Sequence, residues 1–507
     1  MLKNVGSNWA LSFAQILIFF VLVPFVFSTL GPSRNGVWEL IVATSGPLQL
    51  LALGMPMATV RHVTAAVAAG RPQEAERVIG NSLSLSMCLA LVAMVFGSGI
   101  YWATNHAIIS SEDWNLSPAD LRDAQHALIG VLILVGSSFA LRLPYAVYDA
   151  HHDFVVRNLI QGSGFVLRFG LTLLLLSWKA SLTIMAGILI TVALTEFLVS
   201  ITVSARRHSP IRIRPRRMEW SVIRGLISFG AFAFLMNMGA LLAFQIDAMV
   251  IGDHLLPRDV TDYAMGNKIF EQFITLVLAI GMVAMPMATD LHAREDWGGL
   301  RIVFLKWSKI ASTLVLLIGG YLMVLGPEFL RVWFGDGYTP HMGQVLQILM
   351  ASFFLFLPMR GVALPILMGL GKTRGPGIGL FAMGVTNLVL SLVLVRSHGV
   401  LGVALGTAIP NVAFGCFFLY LACKHLRVPL GEFLHYVGLR SLIGLLPGVA
   451  FLLFCKLGLQ VEHTLPVLGA GVAYTALFGL IQVFFVFRND PMTDPLALVQ
   501  RKLSRPT

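Results

Sequence analysis

Fourteen apolar runs of about 20 residues each dominate the sequence, and each is long enough to cross a bilayer as a helix. They fall near 7–29, 37–62, 79–103, 124–149, 156–177, 181–204, 222–251, 261–288, 302–325, 342–368, 377–395, 399–423, 438–457 and 465–487. In hydrocarbon every backbone polar group must be satisfied within the chain, and consecutive helices meet that demand. The expected fold class is an all-α polytopic membrane protein with about 14 transmembrane helices. The composition agrees: 57% of the 507 residues are hydrophobic and 12% charged, against about 25% charged in ordinary soluble domains.

The net charge of +11 does not point to nucleic acid in such a chain. It reads as the excess of Lys and Arg on cytoplasmic loops. With the N-terminus inside, about 20 of these residues fall on inner loops and termini and about 7 on outer loops, so both termini are expected in the cytoplasm. The most basic loop, residues 205–220, holds Arg206, Arg207, Arg212, Arg214, Arg216 and Arg217, and its Pro210 and Pro215 forbid a regular helix. It lies between the sixth and seventh spans. The expected division is a bundle over 1–204, a basic linker over 205–221, a second bundle over 222–423, two extra helices over 424–487 and a tail over 488–507.

An internal repeat supports that division. The pentapeptide Met55–Thr59 recurs at Met285–Thr289, an offset of 230 that also carries Gly36 onto Gly266 and His62 onto His292. A weaker echo sets a proline and an arginine together in spans four and ten, as Arg142 with Pro144 and as Pro358 with Arg360. An even number of spans per copy makes this a parallel repeat about an axis along the membrane normal.

Ionisable residues deep in spans cost several kcal/mol unless they face a cavity or a partner. Arg142, Arg168 and Arg360 are the deepest cations, and they either line a water-filled cavity or pair with a carboxylate such as Glu196 or with a backbone carbonyl. Lys268 and Glu271 stand three apart on one helical face, where they either neutralise each other or line a cavity. Asp247 lies near the outer end of span seven. Three arginines against one or two carboxylates make a positive interior suited to an anion, and the arginine fork fits phosphate oxygens. Asn8, Gln15, Asn237 and Gln245, on the first spans of the two halves, either line the same cavity toward hydroxyl-rich groups or pack helices. The ion-coupling candidates are Glu271, Glu196 and Asp247.

Enzymatic chemistry finds less support. His151, His152 and Asp153 are consecutive, and neighbours on a helix diverge, so no metal site is expected there. No phosphate-cradling glycine loop or nucleophile motif is present, and no cofactor is expected beyond H+ or Na+ as a coupling ion. Cys88, Cys416, Cys423 and Cys455 lie in apolar spans and read as small core hydrophobes.

The opening residues 3–65, with Gly31, Gly36-Val37-Trp38, Leu53-Gly54-Met55 and Arg61, resemble the start of bacterial polysaccharide transporters of the Wzx type. The second half resembles them again in residues 246–269, with Asp247, Gly252, Tyr263 and Lys268, and in residues 327–338. Their superfamily also holds multidrug/cation antiporters and lipid II flippases. The resemblance implies two six-helix bundles around a central cavity, plus two extra C-terminal helices that drug antiporters usually lack. Span one carries no arginine, unlike lipid II flippases. The implied function is to flip polyprenyl-diphosphate-linked oligosaccharide across a bacterial inner membrane for O-antigen, capsule or exopolysaccharide synthesis. Implied partners are that lipid-linked substrate, membrane lipids, a polysaccharide polymerase and glycosyltransferases, with no nucleic acid. The alternatives are a cation-coupled multidrug antiporter and, in another class, a membrane-embedded glycan-assembly enzyme.

Overall fold

The computed structural model describes residues 2–52, 55–109, 114, 116–208, 211–488 and 490, without the side chains of residues 2–10, 107, 108, 227–233 and 282. Asn8 and most of the tail therefore lie outside the described residues, the former for its side chain. All regular structure among the described residues is helical. The principal helices are α1 (Leu2–Ser45), α2 (Met55–Ala68), α3 (Pro72–Thr104), α4 (Pro118–Leu141), α5 (Tyr145–Ala150), α6 (Phe154–Trp178), α7 (Leu182–Arg207), α8 (Trp220–Phe244) and α9 (Asp247–His254). They continue as α10 (Pro257–Ala293), α11 (Trp297–Phe334), α12 (Pro340–Pro358), α13 (Leu364–Gly369), α14 (Arg374–Leu426), α15 (Leu430–Phe433), α16 (Arg440–Leu453) and α17 (Thr464–Ile481).

Among the described residues, eleven stretches are long and apolar enough to cross a membrane, and Phe234–Phe244 of α8 with α9, bent by 42°, makes a twelfth if the pair is one span. Two of the eleven hold a break. In α1 the backbone leaves helical geometry at Gly31 (φ 77°), and in α14 at Gly399 (φ 56°). Positive φ is open to glycine at little cost. Past Gly399 the chain folds back on itself: Asn387 Nδ2 donates to Thr407 Oγ1 at 3.2 Å, and Gly402 lies against the Leu394 carbonyl. Dividing α1 and α14 at these glycines is compatible with the fourteen spans expected.

Large apolar side chains stay on the outside of the helices, as with Trp178, Leu465 and Phe485, each at least 81% exposed. Lipid is as apolar as the interior, so helix contacts select small residues that allow close approach rather than burial as such. Gly36 packs against the Pro257 carbonyl, and Gly266, its counterpart in the repeat, packs against Met342 O. A methyl group at Gly266 would stand 2.6 Å from that oxygen. The same logic corrects the reading of two cysteines: Cys423 and Cys455 are buried, but Cys88 and Cys416 are exposed. A thiol on a lipid-facing surface needs no protein cover.

The chain forms two compact units, Met1–Thr261 and Asp262–Thr507. In the first, the basic linker folds onto α3: Arg216 N–H donates to Gly80 O at 3.3 Å, and Glu219 N–H to Asn81 Oδ1 at 2.6 Å. In the second, α16 and α17 pack on α11 through a cluster that includes Leu316, Leu452, Tyr474 and Phe478. The Tyr474 hydroxyl donates to Leu316 O at 3.1 Å.

Candidate functional site

A cavity of 730 Å³ opens inside the first unit. Its polar lining is Gln49, Ser138, Arg142, Tyr145, Asp149, Arg157, Gln161, Arg168, Glu196 and Asn237. Local sequence explains how each group reaches it. Pro144 has no N–H to continue the ladder, so α4 ends at Arg142 and a turn leads into the short α5. That break leaves the Arg142 side chain exposed. Along α6, Arg157, Gln161, Phe165 and Arg168 recur at four-, four- and three-residue steps, which puts all four on one face. On α7, Leu189, Val192, Ala193 and Glu196 form the opposing face. Gly164 of α6 has no side chain to obstruct, and the Glu196 carboxylate lies directly against it.

The charges are unevenly paired. Arg157 donates to Asp149 Oδ1 at 2.6 Å and sits 5.9 Å from the Tyr145 ring. The Tyr145 hydroxyl donates to Glu196 Oε2 at 3.0 Å. Glu196 is thus hydrogen-bonded by a tyrosine, with the Arg142 charge acting on it through space and without a salt bridge to it among the described residues. Arg142 and Arg168 are both exposed to the cavity and make no ion pair among the described residues. Three guanidinium groups face two carboxylates in the cavity lining, Glu39 of α1 adds its charge near Arg168, and the Arg142 and Arg168 forks carry no salt bridge among the described residues. A space of this size falls within the range of small-ligand sites, and it can hold an anion by forked hydrogen bonds.

Of the residues singled out in the sequence, Arg142, Arg168, Glu196 and Asn237 come together here. Arg157, Gln49, Gln161 and Tyr145 were missed; the spacing of Arg157, Gln161 and Arg168 was the available signal for two of them. Gln15 is half-buried on α1 and does not line the cavity. Gln245 closes the end of α8 with its side chain over Gly46. Asp247 is 2% exposed in the first turn of α9. The remaining candidates belong to the second unit. Lys268 and Glu271 lie on α10, where Asn267 Nδ2 donates to Glu271 Oε1 at 3.0 Å. Arg360 sits in the irregular turn Met359–Ala363 that follows Pro358. There Gly281 meets Gly361, with a methyl at Gly281 standing 2.6 Å from the Gly361 carbonyl. The run His151–Asp153 makes other contacts: His151 stacks on His208 at 4.1 Å, and Asp153 Oδ2 accepts from Arg207 Nε at 2.7 Å.

Comparison with known proteins now bears on this geometry. A family model described as "Polysaccharide biosynthesis protein" matches residues 128–342, a range that holds Arg142, Arg157, Arg168 and Glu196. The "Putative O-antigen transporter" of Shigella flexneri is 21% identical over 416 residues, covering 81% of this chain and 94% of that protein. The lipid II flippase MurJ, in an inward closed conformation, superposes with a TM-score of 0.68 at 15% identity, covering 100% of both chains. The chain is thus similar to polysaccharide transporters of the O-antigen kind. The chain also shares its fold with an inward-facing multidrug resistance transporter of the MATE family, at a TM-score of 0.63 and 14% identity, over 82% of this chain and 95% of that one. The two structural likenesses establish a shared helical membrane fold.

Proposed function

We propose that this transporter flips polyprenyl-diphosphate-linked oligosaccharide from the inner to the outer leaflet of a bacterial inner membrane, for O-antigen, capsule or exopolysaccharide synthesis. The observation that carries this reading is the cationic cavity, where Arg142 and Arg168 hold two open guanidinium forks beside the Asp149–Arg157 pair. A diphosphate presents the oxygen geometry that such forks bind bidentately. Gln49, Gln161 and Asn237 offer amides to sugar hydroxyls in the same space. No covalent step is needed: the site changes its exposure from one side to the other by alternating access.

Both termini face the cytoplasm in this scheme, and a polymerase and glycosyltransferases act beside the transporter. Uptake of H+ or Na+ by a carboxylate couples transport to the membrane potential, which is worth about 2.3 kcal/mol per charge per 100 mV. Glu271, Glu196 and Asp247 are the candidates; Glu196 has the cavity position and Tyr145 as a neutral partner. If Glu196→Gln, Glu271→Gln and Asp247→Asn all keep full export, carboxylate coupling is wrong.

The deciding experiment measures lipid-linked glycan reaching the outer leaflet in cells carrying Arg142→Lys, Arg168→Lys and the two alanine variants. Lysine keeps the charge and loses the planar fork, so it is expected to weaken export, and alanine to abolish it at normal protein abundance. Normal export in both alanine variants would remove the cavity from the transport path. Drug efflux that depends on the same arginines, without glycan export, would favour the antiporter.

A further inference from the structure

The described part of the basic linker is a folded surface, held first by the alternate side chains Ile211 and Ile213. Ile211 is 2% exposed and joins the buried cluster of Val63, Val78, Ile79 and Val147, with Ile213 packed alongside. Between and after them Arg212, Arg214 and Arg217 are exposed. The backbone is pinned as well. Ser84 Oγ donates to Arg216 O at 2.6 Å, Arg216 Nη2 pairs with Glu76 at 2.9 Å, and Arg77 pairs with Glu219 through both of its oxygens. The approach depends on Gly80, where a methyl group would stand 2.9 Å from Arg214 O. The carboxylates that anchor the segment are thus used on Arg77 and Arg216. Arg212, Arg214 and Arg217 make no ion pair among the described residues.

The linker runs from the end of α7, a membrane span, to the start of α8, whose second half continues into the bent pair with α9, so it lies at the membrane surface on whichever side α7 ends. Beside its arginines Met218 is 47% exposed and Trp220 71%. An exposed tryptophan next to arginines at the end of a span is the composition of a headgroup-level anchor. Guanidinium groups fork onto phosphate oxygens, and an array already fixed by its backbone loses little freedom on binding. We propose that Arg212, Arg214 and Arg217, with Trp220 as apolar anchor, form a binding site for anionic phospholipid headgroups of the bilayer that holds the protein. This site is independent of the flippase reading. It also stands one short helix from the cavity, because α5 turns Val147 and Ala150 toward the linker cluster and Tyr145 and Asp149 toward the cavity.

The test uses the full chain in nanodiscs of phosphatidylcholine with a titrated fraction of phosphatidylglycerol, and counts retained phosphatidylglycerol by native mass spectrometry. A surface arginine contributes about five-fold to anionic-lipid affinity, so Arg212→Gln with Arg214→Gln and Arg217→Gln together should lose about 100-fold. The triple lysine variant, which keeps the charge and loses the forks, should bind more weakly than wild type and more tightly than the glutamine variant, and added salt should erase the binding. Because these side chains anchor nothing in the fold, the thermal midpoint in detergent should not move; should the triple variant be unstable, each single glutamine variant should still lose about five-fold. Equal phosphatidylglycerol retention by wild type and the glutamine variants would overturn the proposal. So would tight, arginine-dependent binding of polyglutamate that phosphatidylglycerol does not compete, since that pattern belongs to an acidic protein partner.

Discussion

Two parts of the protein keep cations among their helices and satisfy them in opposite ways. In the second unit Lys309 of α11 is fully buried, and its contacts are complete. It pairs with the equally buried Asp490, donates to Val486 O at 3.1 Å, and faces the rings of Tyr436 and Phe487 at 4.6 and 4.9 Å. The second oxygen of Asp490 accepts from the Tyr436 hydroxyl at 2.8 Å. In the cavity of the first unit, Arg142 and Arg168 are exposed and carry no ion pair among the described residues. A charge removed from water must be fully paired, and the pair then serves to hold helices together. A charge left in a wet cavity keeps its donors for something that arrives. The difference separates a clasp from a binding site without any reference to sequence position.

The largest loss of stability is expected at the clasp. Lys309→Ala or Asp490→Ala leaves a buried charge without its partner, which typically costs about 3–5 kcal/mol. Thermal unfolding in detergent measures this, and Lys309→Met combined with Asp490→Leu should recover most of it. A single alanine variant as stable as wild type would show that water reaches this pair, and the contrast with the cavity would disappear.

Arg157 should fall between the two. Its partner Asp149 is partly buried, and Arg157→Ala strands a charge-assisted hydrogen bond worth about 1.5–3 kcal/mol. Export should fall too, and the restoring variant Arg157→Lys should recover stability better than export. Arg142→Ala and Arg168→Ala should cost less than about 1 kcal/mol, as exposed charges generally do, while abolishing export. If either proves as destabilising as Lys309→Ala, that arginine has a buried partner and is part of the frame.

The sequence made some of this contrast legible. Apolar run length alone indicates the helical membrane fold, and the cost of charge within a span singled out Arg142, Arg168 and Glu196. The clasp left no such trace, because its carboxylate comes 181 residues after its lysine and no local pattern links them. Arg157 stands in the first turn of α6, where a long side chain is expected to snorkel to the interface; only its spacing to Gln161 and Arg168 hinted otherwise. Gln49 was hidden because span two is not one helix: a 3₁₀ segment, Gly46–Ala52, turns it toward the cavity. The linker showed its charge and its prolines plainly. Its docking was written more faintly, in the alternation of Ile211 and Ile213 with Arg212 and Arg214.

The smallest effect tests a third kind of site, intermediate between the clasp and the cavity, where the linker begins. His208 follows the last turn of α7, outside the span. Its ring stacks on His151 at 4.1 Å, meets the edge of Tyr148 at 5.7 Å, and its Nε2 lies 3.5 Å from Asp153 Oδ2. Burial holds the imidazole below its usual range, His151 and Arg207 push the same way, and Asp153 opposes them. The unfolded chain therefore takes up this proton first as the pH falls. The contribution to stability is complete above about pH 6.5, the ordinary histidine value, and is lost as the pH drops from there through the lower folded-state value. The thermal midpoint should fall slightly between pH 8 and pH 5, and His208→Phe, which keeps a ring for the stack, should flatten that slope. An unchanged slope in His208→Phe would mean that the ring is open to water in solution and that the linker begins as a loose segment rather than a seated one.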